Sequence, residues 1–487
     1  MGRCEMGGIF VPESLPHVSN DFLERIAAMS FVEQAGEIIH FLLPEYDLNT
    51  AMGVAIEAFN ETNFGSEGMK AQALNPYVED ELILFADKGP SGQVQDYALA
   101  LMDVMLRRLE AEKKIYLMSS GSIESARAVA AAHNGLSVWR PFILVDHDQR
   151  REEGKELDKI LQLHEALGIR VEGDRQEIEG LLFRLAADQN YHKRLEEQGI
   201  RLIIADESTV TSWLAQQILF IAAFAQLKQQ ELLPEEEALD LATPLAGMVP
   251  ILSALYAKGM GLPFGKIICC APKGHPLNEF IRSGRYRLST QKGKRQCLTQ
   301  EYRELPAVLE ALFFELSGRN RELLVEWLTE LSEVGRFHCG RSIQESWKNH
   351  LAAVYSDFKE VEKEARNRYD STDYLLDRGS CLAFAASKHE KGQRSGKETL
   401  LVAAFENPYW ESRFAAQATL GRSSQKGQNG QSLRRMVTEE AGITVPPLAE
   451  ALMELEGEGE EHPYQVCELA NLEQYLSDLL MAEARLG

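Results

Sequence analysis

Gly89-Pro90-Ser91-Gly92-Gln93-Val94-Gln95-Asp96-Tyr97 joins an apolar run, Leu82 to Phe85, to a helix-like pattern from Tyr97 to Leu109. The stretch is therefore a strand-to-helix turn, and turns at strand ends are where α/β proteins place their chemistry. Its own side chains offer little reactivity. Gln93 and Gln95 are polar and neutral, so neither can serve as a nucleophile or titrate near neutrality.

Outward from the turn, strand-like and helix-like segments alternate. Ile115 to Ser119, Pro141 to Asp146, Ile200 to Ala205 and Lys266 to Cys270 read as strands. Ser122 to His133, Glu153 to Leu167, Ser208 to Lys228 and Leu245 to Lys258 read as helices. Strands of about five residues separated by longer helices predict an α/β protein whose mainly parallel sheet is covered on both faces. Upstream, Gly7 to Pro12 is a turn with a short apolar piece, and Asn20 to Phe41 carries helical spacing through Phe22, Ile26, Met29, Phe31, Ile38 and Ile39. Downstream, Thr299 to Asn367 reads as helices only, with Leu305, Leu309, Leu312 and Leu316 on one face. Sheet character returns at Thr399 to Phe405, after which Pro408 opens a helix. Ser423 to Gln431 is a polar loop, and the acidic run Glu454 to Glu461 a solvated one. This divides the chain into a mostly helical extension (1–80), a paired α/β core (81–290, its smaller subdomain about 85–165), a helical insertion (291–370), and a last core strand and helix with a C-terminal segment (371–487).

The 487 residues are too many for one compact core. A formal net charge of −23 argues against nucleic acid or an anionic membrane as partner, because a phosphate surface would repel it. Met1 to Phe10 shows no basic segment followed by an apolar core, and no run approaches bilayer-spanning length, so a cytoplasmic protein is expected. The seven cysteines include no Cys-x-x-Cys pair. Cys269 and Cys270 lie in one apolar run, where neighbours point to opposite faces of a strand, and read as buried reduced thiols.

Three strand-to-helix turns could hold an anion at a helix N-terminus. Ser119-Ser120-Gly121-Ser122 has small residues that would let a phosphate or carboxylate reach the backbone; serine capping with a tight glycine turn is the other reading. Thr243 to Pro250, which contains Gly247 and Met248, is apolar, and its two prolines remove donors. In Phe405-Glu406-Asn407-Pro408, Glu406 would repel an anion, and helix capping is the simpler role. Asp146-His147-Asp148 could be a metal ligand set or a polar loop; no metal site is expected. There is no Walker loop, no Gly-x-Ser-x-Gly elbow and no dinucleotide fingerprint.

Gly7-Gly8-Ile9-Phe10-Val11-Pro12-Glu13 opens a series of framework motifs. It continues with Tyr256-Ala257-Lys258, Gly261-Leu262-Pro263, Phe280, Gly284-Arg285-Tyr286, Asn407-Pro408-Tyr409 and Val466-Cys467. In this order and along nearly the whole chain they resemble the threonine synthase family, pyridoxal-phosphate enzymes of fold type II in the tryptophan synthase β superfamily. The resemblance implies two α/β domains with mainly parallel sheets, an N-terminal extension and a helical insertion. It also implies conversion of O-phosphohomoserine to threonine through a Schiff base on a lysine.

That lysine, in the family's Gly-Pro-Thr-x-Ala-Phe-Lys-Asp-Phe, falls on Gln95, beside Asp96. An amide cannot form the aldimine. The family's Thr-Ser-Gly-Asp-Thr-Gly falls on Ser119, Ser120, Gly121, Ser122, Ile123 and Glu124, which removes its carboxylate. Its phosphate loop Gly-Asn-Phe-Gly-Asn falls on Ala246, Gly247, Met248, Val249 and Pro250, losing both glycines and one N–H. The Ser-Thr pair near the pyridine nitrogen becomes Ala404 and Phe405, which offer no hydrogen bond. Asp-Thr-His-Thr-Ala survives as Asp377-Arg378-Gly379-Ser380-Cys381, and the arginine of Asn-Ile-Gly-Arg becomes Trp213. The family's Ser-Thr-Arg-Gly segment has no counterpart. These losses imply a degenerate member with no catalytic residue, no covalently bound cofactor, and a vestigial pocket. The pocket comprises Gln95, Asp96, Ser119, Ser120, Gly121, Ser122, Gly247, Met248, Asp377 and Phe405. Compatible uses are pairing with an active paralogue, self-association, or binding of a small anionic amino-acid-like ligand. The alternative is an active threonine synthase or related lyase, with Lys88 supplying the amine from a shifted position.

Overall fold

A computed structural model describes the chain from Phe10 to Leu486, except residues 67, 76–77, 110–113, 120–122, 134–136, 138, 147–150, 164–165, 174–177, 179–180, 183, 186–187, 206–208, 234–237, 246–247, 289, 292–293, 296–306, 392–398, 422–429 and 456–464. Among the described residues eleven strands build two large sheets: β1 Lys70–Asn75, β2 Val78–Phe85, β3 Lys114–Ser119, β4 Trp139–Asp146, β5 Leu167–Glu172, β6 Ile200–Ala205, β7 Leu239–Pro244, β8 Phe264–Pro272, β9 Leu351–Ser356, β10 Leu400–Ala404 and β11 Gln465–Glu468. The larger sheet has the order β1-β2-β10-β7-β8-β9 and the smaller β11-β5-β4-β3-β6. Every pairing within them is parallel except β1 with β2. This is the expected α/β class with mainly parallel sheets.

The helices used below are α1 Asn20–Ala27, α2 Phe31–Leu42, α3 Gln95–Leu109, α4 Ile123–Ala132, α5 Arg151–Leu163, α6 Val210–Gln229, α7 Val249–Gly259, α8 Phe358–Thr372, α9 Arg378–Lys391 and α10 Ser412–Thr419. Side chains alternate across the larger sheet, so its two faces feed two cores. Leu82, Leu84 and Cys269 join the core that contains α1, α2, α3, α6 and α7. Ile83, Phe85 and Cys270 join the one that holds Cys381 and Phe384 of α9. The adjacent cysteines thus divide between faces, as their place in a strand predicts, and both are free and buried.

Helix α6 organises the first core. It is mainly apolar and buries even Gln216 and Gln217, which suits a helix enclosed by others. Contrary to the expectation that no run approaches bilayer-spanning length, among the described residues it is the one helix long and apolar enough to cross a membrane, although most of it is buried inside the protein. Phe220 and Phe224 meet Phe264 of β8 edge-on, with centroids 5.6 and 4.7 Å apart.

Several expectations change. The helical spacing from Asn20 to Phe41 is realised as two helices, because Ser30 and Glu33 form a capping box that starts α2 afresh. The helix expected to reach Leu167 stops at Leu163, and Leu167 begins β5. The helix expected from Leu245 begins at Val249, and Pro408 opens a turn before α10 rather than a helix. The region read as helices only contains Arg336–His338, which pairs with Arg285–Arg287, and β9, which adds an edge strand beside β8. The smaller sheet runs from Lys114 to Ala205 and takes β11 from the C-terminal segment. Gly7 to Ile9 and nearly all of the polar and acidic loops lie outside the described residues, although Gly430 and Gln431 begin a helix.

Candidate functional site

The strands β2 and β10 end side by side: Ala86 N–H donates to the Ala404 carbonyl at 2.9 Å. The chain then turns through Gly89 to Val94 into α3. Gly92 has φ +73°, and a Cβ there would lie 2.7 Å from Asn407 Cβ. At Gly89 a Cβ would lie 2.3 Å from the Asp96 side chain, so both positions require glycine for space.

Asp96 clasps the turn. Its Oδ2 accepts the N–H groups of Ser91 (2.8 Å) and Gln93 (3.3 Å), and its Oδ1 accepts the Ser91 hydroxyl (2.6 Å). Burial pushes its carboxyl up to about 7 against these donors, which favour the charged form. The turn is also fastened from outside. Val94 N–H donates to Phe405 O (2.8 Å), Asn407 N–H to Gly92 O (2.7 Å), and Trp410 Nε1–H to Ser91 O (2.6 Å). The Tyr97 hydroxyl donates to Gly68 O at 2.9 Å. On this rigid frame Gln95, first residue of α3, is exposed. Gln93 is the reverse case, 2% exposed with neither end of its amide hydrogen-bonded.

A cavity of about 210 Å³ lies beyond the ends of β2 and β10, walled by Phe85, Asp87, Lys88, Ala404, Glu406 and the segment Asp373–Asp377. It collects carboxyls. Asp87 is nine-tenths buried, its Oδ1 takes no hydrogen bond, and Lys88 Nζ stands 3.7 Å from it. Asp377 heads α9, where its Oδ1 accepts Ser380 N–H at 2.9 Å and its Oδ2 the Ser380 hydroxyl. Burial pushes Asp377 up to about 7 and raises Asp87 as well. Glu406 rises to about 8, first through burial and then through the charges of Glu411 and Asp377. Phe85 and Tyr374 contribute an aromatic wall, ring centroids 4.8 Å apart.

The predicted residues distribute unevenly. Gln95, Asp96, Phe405 and Asp377 gather around the ends of β2 and β10. Met248 and Trp213 instead pack together against Leu252, Tyr256, Val308 and Ala311. The indole N–H of Trp213 is buried with no acceptor among the described residues. Helix α7 has Met248 as its N-cap, with no side-chain cap hydrogen bond, and carries Pro250 in its first turn. Ser119 ends β3; Ser120, Gly121, Ser122 and Gly247, like His147 and Asp148, lie outside the described residues. Among the described residues no group of three or more metal-ligating side chains occurs. The convergence of Asp87 with Glu406 at this cavity is not announced by the sequence, since it depends on the pairing of β2 with β10.

No family model matches the sequence. Over 96% of its length the chain is 24% identical to threonine synthase-like 1 of Homo sapiens, and it spans 63% of that protein. Among solved structures, yeast threonine synthase superposes with a TM-score of 0.74 at 18% identity, over 98% of this chain and 94% of the other. A PLP-bound threonine synthase from Brucella melitensis does so with a TM-score of 0.71, also at 18% identity, over 99% and 94%. The fold is that of the threonine synthases, and the resemblance read from the motifs extends along the whole chain.

Proposed function

We propose that this chain, built on the threonine synthase fold, is a catalytically inactive or repurposed homologue that does not hold pyridoxal phosphate covalently. Gln95 carries the reading. It stands exposed at the head of α3, in a turn whose glycines, clasping aspartate and outer fastenings are all in place. In the resemblance read from the sequence motifs, Gln95 takes the position of the family's lysine. A frame kept around a neutral amide presents no amine to an aldehyde.

The surroundings support the same reading. Ala404 is 3% exposed and Phe405 half-buried, so the end of β10 has no side-chain hydroxyl for a pyridine nitrogen. The first turn of α7 lacks one N–H at Pro250, which weakens it as a phosphate cradle. These residues do not fit the cofactor. Lys88, the remaining amine of the turn, is the one cation among the described residues lining the acidic cavity, where its Nζ stands 3.7 Å from buried Asp87. Function then lies in pairing with an active relative or in ligand binding.

Incubation with pyridoxal phosphate tests the reading. No borohydride-reducible imine band is expected; a band that disappears in Lys88→Ala would overturn it. Gln95→Lys alone is expected to yield no threonine from O-phosphohomoserine, because the phosphate and pyridine partners would still be missing, and measurable turnover by that variant would count against the proposal.

A further inference from the structure

Cations are unevenly spread along this acidic chain. From Phe280 to Gln300 the sequence carries six lysines and arginines and no carboxylate, against a net charge of −23 for the whole. Within that stretch Arg285–Arg287 pairs antiparallel with Arg336–His338 as a two-stranded ribbon. Alternation along both strands sorts their side chains. Tyr286 and Phe337 are buried and stacked with centroids 5.7 Å apart, and Phe337 in turn stacks on Trp327 at 5.2 Å, which anchors the ribbon. Arg285, Arg287, Arg336 and His338 are exposed on the other face. Register sets Arg287 directly opposite Arg336 and Arg285 opposite His338. Like charges facing each other across a strand pair repel, so this arrangement costs stability. No carboxylate among the described residues pairs with any of the three guanidinium groups.

The spacing of these cations selects what can cover them. Side chains on one face of a strand recur every second residue, roughly 7 Å apart, so an extended segment with carboxylates at alternate positions would meet the ribbon in step. The chain itself contains such a segment. In Glu454-Leu455-Glu456-Gly457-Glu458-Gly459-Glu460-Glu461, glutamate occupies every second position from 454 to 460. Glu454 ends the helix Pro447–Glu454, which leaves Glu456, Glu458 and Glu460 as the alternating set, with glycines between them.

We infer that the ribbon docks the acidic run of a second copy of this chain, with Glu456, Glu458 and Glu460 set in extended form against Arg285, Arg287 and Arg336. Ribbon and run are different surfaces and each copy offers one of each, so the contact is heterologous. The inference goes beyond the inactive-homologue reading and does not rest on it. Two molecules of net charge −23 repel as wholes, and salt separates that repulsion from the contact. In about 0.1 M salt the Debye length is about 10 Å, which screens distant charges and leaves paired ones; in about 1 M it is about 3 Å, and the pairs weaken too.

Sedimentation equilibrium of the full chain tests the inference. In about 0.1 M salt the weight-average mass is expected to rise with protein concentration, and in about 1 M salt to return to that of one chain. Arg285→Glu with Arg287→Glu should weaken association about tenfold or more, and so should Glu456→Arg with Glu458→Arg, because each change replaces attraction by repulsion. Both arginines are exposed, so the first double variant keeps its core. A mixture of the two double variants should associate again, since the reversed run then meets the reversed ribbon. A synthetic peptide of the sequence Leu455–Glu461 should compete with the association. A single-chain mass at every concentration, association unchanged by either double variant, or a mixture that stays monomeric would each overturn the inference. So would equal competition by a peptide of the same composition with its glutamates consecutive, which would reduce the match to charge alone. None of these results bears on the aldimine, so failure here is separable from failure of the inactive-homologue reading.

Discussion

At Gly89 the chain has no room for a methyl group, since the nearest atoms belong to the residue that closes the turn. Gly89→Ala would push Asp96 away from Ser91 and Gln93. A loss of about 1–3 kcal/mol is expected from overpacking, read as a lowered denaturation midpoint with unchanged slope. The shape of this turn was legible in the sequence, because Gly89, Pro90 and Asp96 each have a local conformational meaning. The environments of Gln93, Asp87 and Glu406 were not. Each depends on which distant segment lies opposite: Gln93 bridges to Glu406, and Phe85 pairs with Ala404, far along the chain.

Among elements, α8 is tied to β2 by charge. Arg368 donates to both carboxylate oxygens of Glu81, at 3.1 Å for Nη2 to Oε1, and through Nε to Glu364 at 2.8 Å. Glu364 also accepts from Lys388 of α9. All three residues of the Arg368 cluster are largely buried. Removing the guanidinium takes the bidentate partner from Glu81 and leaves Glu364 with Lys388, so Arg368→Ala is expected to lower stability by about 3 kcal/mol, measured by chemical denaturation. Long apolar elements such as α6 and β8 were readable because their periodicity outlasts local noise. Strand β9, Leu-Ala-Ala-Val-Tyr-Ser, was not: two alanines fit a helix as well, and only its place beside β8 settles the matter. The break between α1 and α2 was available from Ser30 and Glu33, whose spacing is that of a capping box.

For the whole molecule, stability should fall as pH rises toward 8. Asp96 and Asp377 titrate at about 7 and Glu406 at about 8 in the folded state, all above their unfolded values. The folded chain therefore holds protons that the unfolded chain releases. The associated stability is full below the unfolded carboxyl range and is lost as pH climbs through 7 and 8, by about 1.4 kcal/mol per pH unit for each proton of difference. The net charge of −23 adds repulsion in the same direction. Glu156 opposes this at the acid end: burial works against its charge, but Arg127 and Arg434 hold it low, so that contribution is lost only as pH drops below its ordinary range. The melting temperature should accordingly be higher near pH 5.5 than near pH 8.5. A flat or rising profile across that interval would contradict the burial of these carboxyls.

The positions of β10 and β11 have a consequence in time. Strand β10 occupies a central place in one sheet, between β2 and β7, while β11 closes an edge of the other beside β5. Both are supplied by residues 400–468, long after their partners have been made. Neither sheet can be completed while the ribosome is still producing the middle of the chain, and until then β2, β7 and β5 present unpaired backbone along their flanks. The nascent protein must therefore carry two unfinished sheets together, and neither can close before Leu400 has been made.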